Sequence, residues 1–136
     1  MPNDLFLLIA RLLMAGLVIP SGLHTLGDID GAAAYFAGLG VPFAMATGWA
    51  VGLFETGAGL LIVIGLLTRP ASLLLAVFCI AAGFIGHFGQ GGGDPALAFM
   101  HQQMLMKDIA LAGGFLALAC AGAGKFSIDF RRSAAI

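Results

Sequence analysis

The chain has 136 residues, of which 60% are hydrophobic and only 10% charged, and its mean hydropathy is +1.04. A soluble domain carries roughly 25% charged residues, so this composition excludes an ordinary soluble fold and points to a membrane protein. The net charge of −1 also excludes a broadly basic nucleic-acid binder.

The opening stretch "MPNDLFLLIARLLMAGLVIPSGLH" lacks a basic leading segment, and an arginine interrupts its apolar run, so it reads as a retained first membrane span rather than a signal peptide. That span covers about 5–23. Next, "DIDGAAAYFAGLGVP" reads as a short helix: Asp30 caps its start, Gly40 ends it and Pro42 prevents continuation. Tyr35 and Phe36 suit the headgroup level, so this helix lies along the outer membrane surface or tucks over the mouth of the bundle. The second span covers about 46–67 and ends at "TRP", a tight turn, because Pro70 starts a helix well and continues one badly. The third span covers about 71–88. "GQGGGDP" is a loop by its glycines and its Asp-Pro pair, and a fourth span covers about 102–121, closed by "GAGK". Each span approaches the ~20 residues that cross ~30 Å of hydrocarbon. The expected fold is therefore all-α: a four-transmembrane-helix bundle with a short interfacial helix between spans one and two, forming one domain over residues 1–136.

Arg69, Lys125, Arg131 and Arg132 fall in the second loop or the C-terminal tail, whereas Asp28, Asp30 and Asp94 fall in the first and third loops. The positive-inside rule then places both termini in the cytoplasm and both acidic loops outside. In a bacterial or archaeal cell this is a multi-pass protein of the cytoplasmic membrane. Cys79 and Cys120 sit far apart within apolar runs, with neither a CxxC nor a metal-ligand spacing, and read as small packing residues.

Four charged residues, Arg11, Glu55, Lys107 and Asp108, lie inside the spans. Each costs ~2.5–3.5 kcal/mol at a helix centre, so they should face inward and find partners. At helical rise Glu55 lies roughly 13 Å below the outer boundary and Arg11 roughly 9 Å above the inner one, leaving ~8 Å that an extended arginine largely spans. Glu55 also shares a helical face with Gly52 and Gly59, so it points into a close helix interface. Lys107 and Asp108 enter near the outer third of the fourth span. They stand ~100° apart around it, so one snorkels outward while the other joins Glu55 and Arg11. These charges make either a structural ion-pair network or a polar anchor for a ligand such as a quinone headgroup.

His24, His87 and His101 all fall at the outer ends of their spans, so the topology gathers them at one membrane face. Histidine binds a quinone carbonyl, a metal or a proton near neutral pH. No pair has the i, i+4 spacing of a helical metal motif, so no metal site is assigned, and the methionines around His101 read as packing.

Taken in order, "RLLMAGLVIPSGLHTLGD", "GVP", "ETGAGLLIVIGLLTRPAS" and "KDIALAGGFLALACAGAGKFSID" resemble the DoxX family of small bacterial and archaeal membrane proteins across nearly the whole chain. The most specific pieces are Glu55 with the glycine-rich stretch to Arg69, and the closing stretch 122–129. The resemblance implies a four-helix membrane bundle. Some relatives belong to a thiosulfate:quinone oxidoreductase, others accompany redox or thiol-stress proteins, and many have no assigned activity. Arg11 and Glu55 match polar positions of the family in spans one and two, and His87 matches one late in span three.

The leading expectation is a membrane subunit of a redox system that binds a quinone or similar lipophile. Arg11 and Glu55 would form the polar floor of its pocket, with His87, Lys107, Asp108, His24 and His101 as further contacts. No haem, flavin or iron–sulfur motif is visible, so electrons would come from a redox protein partner or from the quinone itself. The alternatives are a non-catalytic scaffold or, less simply, a carrier for protons, metals or small molecules working as a homo-oligomer. Membrane lipid is the remaining expected partner.

Overall fold

A computed structural model describes residues 2–135 of the protein. Six helices follow in chain order: α1 (Pro2–Gly27), α2 (Ile29–Gly38), α3 (Ala44–Ile64), α4 (Thr68–His87), α5 (Pro95–Ala121) and α6 (Ile128–Ser133). Among the described residues α1, α3, α4 and α5 are long and apolar enough to cross a membrane. Their large apolar side chains point outward in numbers a soluble protein would not tolerate, Leu13 at 72% exposure being one example.

Small residues bring α1 against α3. A methyl group on Gly22 would sit 2.5 Å from the Thr56 hydroxyl and 2.9 Å from the Glu55 Cβ, and one on Gly59 would strike Ile19. Without a hydrophobic force between helices in lipid, such close approach supplies dispersion contact instead. The second close pair is α4 with α5, where Gly83 meets Asp108 and Leu105. Ile62, Leu75, Phe115 and Leu118 fill the space between the two pairs.

Local chemistry sets the ends. α3 stops at Gly65, whose φ of +67° suits glycine, while the amide of Leu66 bonds the carbonyl of Leu61. α5 begins earlier than the apolar pattern suggests, at Pro95 rather than near residue 102. Asp94 caps it by accepting from the amides of Ala96 and Leu97, and Pro95 occupies the first helical position, where no amide is needed. Asp108 consequently lies near the middle of α5, ~20 Å from its start, instead of in the outer third of a shorter span. The interfacial helix forms as expected, but its cap is Asp28, which accepts from the amide of Gly31; Asp30 lies in its first turn. Of the two positions open to α2, the structure selects the one over the bundle mouth. It packs on α3 at Gly48, and the Tyr35 hydroxyl reaches Gly86 of α4.

Candidate functional site

The two ends of the bundle treat charge differently. At the α2 end a cavity of about 930 Å³ opens between the helices. α1 contributes Ser21 and His24 to its walls, α2 Tyr35, α3 Glu55, α4 Cys79 and His87, and α5 Lys107 and Asp108. Most of the remaining lining is apolar.

Glu55 is 8% exposed and faces the α1 interface, as its glycine neighbours suggest. Its Oε2 accepts a hydrogen bond from the Ser21 hydroxyl at 3.2 Å. Ser21 follows Pro20, which removes one amide from the α1 ladder. On the opposite wall, Asp108 lies 3.7 Å from His87 Nε2 and 3.5 Å from Lys107 Nζ. The ~100° separation turns Lys107 outward, its side chain 47% exposed against 14% for Asp108, but of its two expected partners Asp108 joins only Glu55 in the cavity lining and does not meet Arg11. His87 Nδ1 lies 3.0 Å from His101 Nδ1. His24 lines the α1 wall of the cavity and takes no part in that pair. Tyr35 sits over the mouth; burial first, and then the negative charge of Asp108, hold its phenol above the ordinary range, so it remains a hydrogen-bond donor.

Arg11 corrects the expectation. It is fully buried, but at the other end of the bundle, and it does not line the cavity or partner Glu55. Its guanidinium donates to the carbonyls of Ile62 and Val63, at 3.5 and 3.4 Å, and to that of Phe126. The physical reason is the end of α3. The carbonyls of Ile62 and Val63 lack the i+4 amide of a helix interior, Ile62 accepting within the main chain only from the capping amide of Gly65, and they carry the negative end of the helix dipole, so a cation at that depth finds an acceptor without a carboxylate. The first turn of α6 completes this clamp. Asp129 accepts from the amides of Leu67 and Thr68, at 2.8 and 2.9 Å, and its own amide donates to the carbonyl of Gly65. Asp4, near the start of α1, accepts from the amide of Lys125.

Sequence reasoning missed Ser21 and Tyr35 as cavity residues. It also missed that His101 and Asp108, seven residues apart, share one face of α5 and meet His87 together. The i+7 spacing carried that signal. Among the described residues, no cluster of three or more histidine, cysteine or acidic side chains fits a metal ion.

Four apolar helices around a partly polar cavity define a multi-pass integral membrane protein. The DoxX family model matches residues 6–88. The chain is 37% identical over 127 residues to the inner membrane protein YqjF of Escherichia coli (strain K12), covering 93% of this chain and 92% of that one. It is 33% identical over 134 residues to the inner membrane protein YphA of the same organism, covering 95% and 91%. No solved structure matches it significantly. The protein belongs to the DoxX family.

Proposed function

We propose that the protein is a quinone-interacting membrane subunit of a redox system, and that the cavity at the α2 end holds the quinone headgroup. The observation that carries this reading is the cavity itself: about 930 Å³, largely apolar, with polar groups converging from facing walls. Binding sites for small apolar ligands have this size and this ratio of apolar wall to placed polar group. The donor set suits both redox forms of such a headgroup. Ser21 and Tyr35 donate to carbonyl oxygens, whereas Glu55 and Asp108 accept from hydroxyls. A quinone supplies reversible two-electron, two-proton chemistry when bound; this chain's residues orient it and handle its protons. A partner protein supplies or takes the electrons. With Arg69, Lys125, Arg131 and Arg132 at the opposite end, the cavity faces away from the cytoplasm and both termini lie within it.

The test is titration of the purified protein, in lipid nanodiscs, with a short-chain benzoquinone. Saturable binding that weakens about ten-fold in Glu55→Gln, a loss of ~1.4 kcal/mol, is expected. Absence of saturable binding to the wild type defeats the reading and leaves the scaffold alternative.

A further inference from the structure

His101 does not line the cavity, yet it touches a residue that does. His87 stands between it and Asp108, with Nδ1 at 3.0 Å from His101 Nδ1 and Nε2 at 3.7 Å from Asp108 Oδ2. On α5, His101 and Asp108 lie seven residues apart on one face, ~10 Å along the axis. The imidazole of His87 bridges that interval from α4. His101 is half-buried and sits about two turns from the start of α5, close to the end of the bundle.

We propose that Asp108, His87 and His101 form a proton wire connecting the cavity wall to the bundle surface. The carboxylate favours the His87 tautomer with hydrogen on Nε2. His87 Nδ1 is then an acceptor, so His101 carries its hydrogen on Nδ1 and leaves Nε2 free to accept from water. Every bond in the chain points the same way, toward Asp108. A proton taken up at His101 Nε2 releases the one on His101 Nδ1 to His87 Nδ1. His87 in turn releases its Nε2 proton to Asp108, which becomes a neutral acid facing the cavity. One proton enters, one arrives, and both imidazoles end neutral in the opposite tautomer. The reverse transfer returns a proton to water along the same atoms. The 3.7 Å step is longer than a hydrogen bond and closes by a small turn of the Asp108 side chain or through one water.

The groups facing this chain are Tyr35 from α2, Glu55 from α3, Cys79 from α4 and Lys107 from α5, with His24 on α1 and Asp28 at the cap of α2 also in the cavity lining. Lys107 holds the other oxygen of Asp108 at 3.5 Å, which keeps Oδ2 toward His87. Use of the wire by a bound quinone rests on the function proposed above. The wire itself does not, and it is testable in the protein without any ligand.

The experiment is a pH jump on the full chain in nanodiscs, following the carboxylic C=O infrared band that Asp108→Asn removes. In His101→Ala, protonation of Asp108 should slow at least ten-fold with unchanged amplitude, and millimolar imidazole should restore it. His24→Ala should react at the wild-type rate. An unchanged rate in His101→Ala overturns the proposal, and so does a slowed rate that imidazole fails to restore, because a packing role would show that pattern. Should His101→Ala not fold, nitrogen-15 NMR of the wild-type histidines decides. Nε2–H on His87 with Nδ1–H on His101 supports the wire, and Nε2–H on both overturns it.

Discussion

Arg11 and Glu55 are both buried charges within membrane helices, and the two ends of the bundle use them in opposite ways. Arg11 is closed in by backbone: three carbonyls from two segments meet its guanidinium. Glu55 has one side-chain donor, Ser21, and a cavity in front of it. A fully buried charge held by three main-chain carbonyls is fixed in place away from the cavity and cannot reach a ligand there, although its Nε–H has no partner. A charge with one partner and open space keeps bonding capacity in reserve. The comparison teaches that burial alone does not mark a functional group in a membrane bundle; unspent hydrogen-bonding capacity beside a cavity does.

Four measurements break or sharpen that contrast. The largest effect belongs to Arg11→Met, which removes a buried donor from the carbonyls of Ile62 and Val63 at the α3 end and frees the segment before α6. It should cost about 3 kcal/mol in reversible unfolding in mixed detergent micelles, while the variant that remains folded binds quinone normally. A loss of binding with stability intact would reverse the assignment of the two ends. Glu55→Gln should show the mirror image: about ten-fold weaker quinone binding and a stability change under ~1 kcal/mol.

Asp129→Asn comes next, at about 1 kcal/mol, because the amide offers one acceptor oxygen where the carboxylate offers two to Leu67 and Thr68. Its pH dependence has a definite sign. Burial, the largest single influence, raises the Asp129 pKa, but the bonds from Thr68 and Leu67 together with the charge of Arg132 outweigh it and hold the group below its ordinary 3.8. A lowered folded-state pKa means that the stabilisation is full above 3.8 and is lost as pH falls through the folded value. Acid unfolding followed by circular dichroism should therefore bring wild type and variant together at low pH. The smallest effect is expected for Lys107→Gln, within ~0.5 kcal/mol, because the side chain is half-exposed and its pairing with Asp108 is weak.

The four spans and the short helix after the first were legible because hydropathy, glycine and proline act locally. Glu55 was legible too: its flanking glycines marked the face that meets α1. Arg11 was misread because charge was sought for charge, and sequence does not advertise a carbonyl. Its true partners were nonetheless within reasoning distance, since the depth of Arg11 matches the last turn of α3. The early start of α5 was obscured by "HQQ", which interrupts the apolar window, although Asp94-Pro95 is itself a helix-start signature. The convergence of His87, His101 and Asp108 needed the packing of α4 on α5, which no single helix encodes.

The third acceptor on Arg11, Phe126, is 115 residues downstream. During synthesis the guanidinium therefore enters the bilayer long before the ribosome has made the group that finishes its solvation. This end of the bundle is thus closed only after the stretch before α6 has been made.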